Sequence, residues 1–170
     1  MKIIAVLNDM NLLGLPGVSH AAPRRTARAV LRRDDGLFAV MHISKYGVYI
    51  LPGGGMEDGE AVEEAMRREI AEETGCRCYD VRELGAVKEN RAHADYTVES
   101  FYFAARTHGQ DVAVAMTQEE IDNGIMVEWY SMDKLMHLIG DPVHEVRQRV
   151  FLQARDMAAL NEYIKQNGAE

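Results

Sequence analysis

The stretch from Leu51 to Cys76, LPGGGMEDGEAVEEAMRREIAEETGC, joins a glycine-rich acidic loop to a run of strong helix formers. Pro52 and the triple glycine Gly53-Gly54-Gly55 predict an abrupt end to the short strand Tyr46 to Leu51. Ala61 to Thr74 predicts a helix with Gly75 as its stop and acidic residues just upstream of its N-terminus. Four glycines in the seven positions from Gly53 to Gly59 let the backbone approach a ligand closely and take positive φ. The loop lacks the Lys and Ser/Thr of a phosphate-cradling P-loop, and its acidity implies that phosphates arrive already neutralised by metal.

On a helical wheel, Val62, Ala65, Met66 and Ile70 form one apolar side, and Glu63, Glu64, Arg67 and Arg68 the opposite half. Glu69 and Glu73 fall in the middle of the apolar side, with Glu72 at its border. Carboxylates at i, i+3 and i+4 lie about 5–6 Å apart at Cβ and raise one another's pKa unless a cation sits between them. A solvated acidic face is the plainer explanation for three helical glutamates, but it accounts for neither the apolar neighbours nor the loop. All-oxygen donors without His or Cys select a hard ion, Mg²⁺ first and Mn²⁺ second.

Read with its spacing, Gly54, five residues, Glu60, seven residues, Arg68-Glu69-Ile70, one residue, Glu72-Glu73, one residue, Gly75-Cys76 resembles the Nudix box. Eight specified positions match across 23 residues, and Cys76 replaces an aliphatic residue in a packing role. The resemblance implies an α/β Nudix fold, an α/β/α sandwich with a mixed β-sheet, of the MutT-like kind. It implies Glu69, Glu72, Glu73 and the Gly53 carbonyl as metal ligands. It also implies a buried Glu60–Arg68 ion pair that positions the helix, with Gly54 and Gly75 as structural positions of the motif.

Metal-assisted hydrolysis of a diphosphate linkage needs a base to activate water. Glu72 and Glu73 are the candidates inside the box. Glu120 is the alternative base or ligand, although Glu119 and Glu120 also read as the first turn of a helix capped by Thr117. For substrate contacts, Tyr49 and Tyr46 are candidates to stack on a base, and Lys45, Arg24, Arg25 and Arg91 to meet phosphates. The core reading competes for the aromatics, and the solvated reading for the basics. His42 and His93 are nearby titratable groups with no spacing that demands a role.

Markers of particular substrates are missing from this sequence. The proline of ADP-ribose pyrophosphatases would fall near Arg91 and the tyrosine of diadenosine polyphosphate hydrolases near Ala92 or His93; coenzyme A and NADH signatures are also lacking. The default is hydrolysis of a nucleoside triphosphate, intact or damaged, to monophosphate and pyrophosphate. A nucleotide-sugar, alarmone or RNA 5′-end pyrophosphohydrolase is the enzymatic alternative, and a nucleotide sensor on the same scaffold the non-catalytic one.

Outward from the box, Lys2 to Leu7 reads as a strand, because Asn8 and Asp9 interrupt the apolar run before it reaches signal-peptide length. A loop follows to Pro23, then a hairpin of Arg25 to Arg32 and Leu37 to His42 around Asp34-Asp35-Gly36. Strands are expected at Tyr79 to Asn90, Ala94 to Thr107 and Met126 to Tyr130. Ser131 caps a short helix ending near Gly140. Asp141-Pro142 opens a longer one through Ile164, with Val143, Val146, Val150, Ala154, Met157 and Ile164 as its core stripe.

The 170 residues are 47% apolar and 27% charged, with 14 Gly and 4 Pro, which excludes low-complexity, collagen-like and coiled-coil classes. Residues 1–170 read as one domain, with 1–23 as N-terminal strand and loop and 141–170 as the C-terminal helix. The formal charge of −8 argues against a nucleic acid partner, and the resemblance implies a small nucleotide substrate instead. Cys76 and Cys78 are too few for a structural zinc site and read as reduced strand residues in a cytoplasmic protein. No apolar run reaches the length of a membrane span. A homodimer is left open.

Overall fold

The computed structural model describes residues 1–141 and 147–168. The strands are β1 (Ile3–Asn8), β2 (Arg24–Arg33), β3 (Phe38–Ile43), β4 (Val48–Ile50), β5 (Gly53–Gly55), β6 (Tyr79–Arg91), β7 (Tyr96–Thr107) and β8 (Ile125–Tyr130). The helices are α1 (Asp9–Leu13), α2 (Val62–Thr74), α3 (Gln118–Asp122), α4 (Met132–Gly140) and α5 (Arg147–Asn167). The strands join in one mixed sheet of order β1-β6-β7-β2-β3-β4, with β5 on β2 and β8 on β3. Pairs β1/β6 and β2/β7 are parallel and the rest antiparallel.

Period-2 alternation divides the apolar side chains between the two faces. Ala27, Ala29 and Leu31 of β2 and Phe103 and Ala105 of β7 pack with Ala65, Met66 and Ile70 of α2. Val30, Phe38, Val40, Tyr102 and Ala104 point the other way, onto Leu135 and Ile139 of α4 and Phe151, Ala159, Leu160 and Tyr163 of α5. The result is the α/β/α sandwich that the resemblance implied. Cys76 is buried in the α2 layer, as a packing residue should be.

Several local expectations differ. The β2/β3 hairpin is paired only at Arg32 and Phe38, because β3 swings away to β8 and β4. The vacated edge of β2 at Thr26 to Arg28 is filled by Gly53 to Gly55, so the triple glycine forms a strand as well as ending one. The loop before Pro23 contains α1, whose N-cap Asn8 exchanges hydrogen bonds with Asn11. Both cysteines are free and precede β6 instead of lying within a strand. On α5 the fully buried positions are Phe151, Arg155, Asp156, Ala159 and Leu160; Val150, Ala154, Met157 and Ile164 are its half-buried flanks. Asp141 closes α4, and Pro142, Val143 and Val146, expected at the start of the last helix, lie outside the described residues. Among the described residues no helix is long and apolar enough to cross a membrane.

Candidate active site

α2 starts at Val62 with Ala61 extended at its N-cap and ends at Gly75, which adopts φ +69 as the left-handed stop. Its packing on β2 and β5 brings the carboxylate side of the helix against the triple glycine. The Gly53 N–H donates to Glu73 Oε2 at 2.6 Å. Gly53 has φ +128, and a Cβ there would stand 2.3 Å from the Ala27 carbonyl. Gly54 lies so close to the helix that a Cβ would stand 2.3 Å from Glu69 Oε2. Gly53 is thus required by conformation and by contact, and Gly54 by contact alone.

Arg68 organises the other carboxylates. Its Nε and Nη2 donate to the two oxygens of Glu60 at 2.9 and 3.0 Å, and Nη2 also donates to the Gly55 carbonyl at 2.9 Å. This fork-to-fork pair, the strongest geometry available to an arginine, ties the loop to the helix. The expected Glu60–Arg68 pair is therefore formed, although half-buried: the side chains are 13% and 26% exposed. Nη1 donates to Glu69 Oε1 at 2.8 Å and to Glu72 Oε2 at 3.1 Å.

The three glutamates of the box sit in different environments. Glu73 is buried, and burial pushes its carboxyl up to about 8 against the opposing pull of the Arg28 guanidinium and the Gly53 N–H. Burial also raises Glu69, opposed by Arg68. Glu72 has a side chain 43% exposed, the most open of the set. The Arg68 bonds hold Glu60 down to about 2.

Three carboxylates on adjoining turns of one helix, one of them buried with its charge opposed by desolvation, are oxygen donors of the type a hard divalent cation takes. Among the described residues no three such groups form a ready cage, since Glu69 and Glu72 are turned onto Arg68. Gathering Glu69 and Glu72 around one cation would break their contacts with Arg68.

The remaining candidates separate. Arg25 flanks the loop: its carbonyl accepts from Met56 N at 3.1 Å, and its guanidinium lies over the Phe101 ring at 5.0 Å. Arg24 approaches Gly55 on the same edge. Glu120 accepts from Thr117 N at 2.7 Å and Thr117 Oγ1 at 2.8 Å, capping α3, while adding to the negative field on Glu73. Glu119 is exposed. Tyr49 stacks on His42 at 4.4 Å, and His42 Nδ1 meets Glu128 at 2.9 Å. Arg91 pairs with Glu89, His93 with Asp9, and Lys45 with Asn123. Tyr46 is exposed beneath Lys45.

Sequence reasoning missed Arg28 on β2 and Asp156 on α5, both buried next to the turn that enters the site. The available signals were an arginine flanked by Ala27 and Ala29 within β2, and an aspartate one residue off the α5 stripe.

A family model described as NUDIX domain matches residues 22–153. The nucleoside triphosphatase NudI of Enterobacter sp. (strain 638) is 45% identical over 64 residues, 33% of this chain and 43% of that protein. The 8-oxo-dGDP phosphatase NUDT18 of Mus musculus is 38% identical over 85 residues, 49% of this chain and 24% of that protein. The chain therefore spans less than half of either relative. A solved NUDIX hydrolase from Nitrosomonas europaea superposes with a TM-score of 0.64, covering 85% of this chain and 90% of that one at 21% identity, a likeness of fold.

Proposed function

The chain belongs to the NUDIX domain family, and from that premise we propose that it hydrolyses the diphosphate linkage of a nucleoside triphosphate to monophosphate and pyrophosphate with Mg²⁺, or Mn²⁺ in its place. The observation that carries the reading is the Glu69, Glu72 and Glu73 set on α2, with Glu73 buried against the Gly53 N–H. Glu69, Glu72, Glu73 and the Gly53 carbonyl are the proposed ligands. Mg²⁺ held there would supply positive charge to offset the phosphate oxygens.

The chain's own residues do the rest. Glu73 orders the glycine turn by accepting from Gly53 N. Arg68 holds the loop to the helix through Glu60 and the Gly55 carbonyl. Glu72, the exposed carboxylate, is the proposed acceptor of the proton lost by the attacking water. Arg25, beside the loop, is the proposed phosphate contact. Tyr49 is proposed as a base contact only through the face not already stacked on His42.

A panel of nucleoside triphosphates, diphosphates, nucleotide sugars and capped RNA 5′ ends, assayed with Mg²⁺ and with Mn²⁺ and read by mass spectrometry, tests this. Monophosphate plus pyrophosphate from a triphosphate is the expected product pair. Silence across the panel with both metals sinks the hydrolytic reading, and metal-independent nucleotide binding without product supports a sensor.

A further inference from the structure

Behind the glycine turn, on the face of the sheet covered by α5, the backbone of Leu51 is gripped at both ends. Its N–H donates to Asp156 Oδ2 at 2.8 Å, and its carbonyl accepts from Arg28 Nη1 at 2.9 Å. Asp156 is fully buried, and its other oxygen accepts from the Tyr102 hydroxyl of β7 and from Arg155 Nε at 3.0 Å. Donors from the turn, the sheet and the helix thus fix one carboxylate.

Arg28 acts at two points. Its backbone pairs with Gly53 in the β2/β5 ladder, and a Cβ on Gly53 would stand 2.9 Å from Arg28 Cγ. Between the Leu51 carbonyl and Gly53, the Pro52 carbonyl accepts from Ala29 N at 3.0 Å. The cluster is expensive for the fold: Arg28 Nε and Arg155 Nη2 are buried without hydrogen-bond partners. Well-packed apolar residues usually stabilise such a place more than ions do, and fixing a register is the best-attested use of buried ions.

We infer that Arg28 and Asp156 are positioning residues: from the α5 side they clamp the Leu51 peptide and so hold Gly53 against Glu73. The geometry stands independently; its consequence for catalysis rests on the hydrolytic reading above. Neither residue belongs to the box, so the device makes the C-terminal helix part of the construction of the site.

The test uses Asp156→Asn, Arg28→Met, Arg28→Lys and Tyr102→Phe in the full chain. Amide exchange at Gly53, referenced to Ala104 of β7, is read in metal-free protein, alongside titration with Mn²⁺ alone and kcat and KM on the best nucleotide. Partners that orient metal ligands are worth about 10–100-fold, so Asp156→Asn and Arg28→Met should speed Gly53 exchange and weaken Mn²⁺ by about 10-fold or more. The loss in turnover should appear in kcat with KM little changed, and Arg28→Lys should recover part of it. Folded variants with wild-type Gly53 exchange and Mn²⁺ affinity overturn the clamp. Should Asp156→Asn fail to fold, Tyr102→Phe, which removes one donor to Asp156 and keeps the ring, decides on the same exchange ratio. If wild type hydrolyses nothing yet the exchange ratio rises in the variants, the clamp stands and the hydrolytic reading falls.

Discussion

Glu73 is buried against the glycine turn, and its protonation has a measurable signature. A carboxyl raised from 4.5 to about 8 means that the metal-free native state holds a proton which the unfolded chain has lost between those values. Stability must then fall as pH rises through that window, because the native state binds more protons than the unfolded state. Urea midpoints of metal-free protein at pH 5 and pH 8 should show the decline, and Glu73→Gln should flatten it; equal slopes in the two proteins would contradict the assignment. Mn²⁺ should restore the loss at pH 8 and release a proton on binding. In turnover, Glu73→Gln should cost more than about 100-fold in kcat, since even partners that merely orient ligands are worth about 10–100-fold. Glu69 and Glu73 stood out in the sequence, because a carboxylate on an apolar helix face is a conflict visible on a wheel; Glu72 lay at the border of that face. Arg28 was not legible, because only the neighbouring strand and α5 show that its guanidinium points inward.

At the scale of the element, the loop from Gly53 to Glu60 and helix α2 act as one piece, joined by Arg68. Gly53→Ala and Gly54→Ala should separate two kinds of glycine requirement. At Gly53 the added Cβ meets the Ala27 carbonyl and the Arg28 Cα at 2.3 and 2.6 Å, with φ at +128. That substitution should destabilise by more than the about 1–3 kcal/mol of backbone strain alone, as read by thermal unfolding. At Gly54 the Cβ meets only the end of the Glu69 side chain. Gly54→Ala should therefore leave stability nearly intact and weaken Mn²⁺ binding, and the reverse ranking in calorimetry would refute this distinction. The helix and its stop were readable from propensity and from Gly75. The strand made by three glycines was not, since β-propensity argues against it and the pairing arises only because β3 leaves the edge of β2 open.

Across the whole molecule, the sheet separates two apolar layers that share no helix. Ile70→Ala on the α2 side and Leu160→Ala on the α5 side should each cost about 2–5 kcal/mol, as buried large-to-small changes do. Because these side chains lie on opposite faces, the double variant should be additive to within about 0.5 kcal/mol in denaturant unfolding; strong coupling would mean that the layers communicate through the sheet. The apolar strands expected at Arg25 to Arg32 and Ala94 to Thr107 and the amphipathic face of α2 made these layers legible in outline, since helical periodicity fixes which side of α2 is apolar. The α5 stripe was misplaced by a residue because its buried face carries Arg155 and Asp156, which hydropathy assigns to solvent. What the chain states locally is therefore the box, its helix, the carboxylates on that helix and the positions of the main strands, all set by spacing along the backbone. Folding alone settles which strand fills the gap beside β2, which basic residue reaches the glycine turn, and that a buried aspartate of the last helix grips it. Those contacts join residues far apart in sequence, and their energies depend on burial and distance, which no local pattern contains.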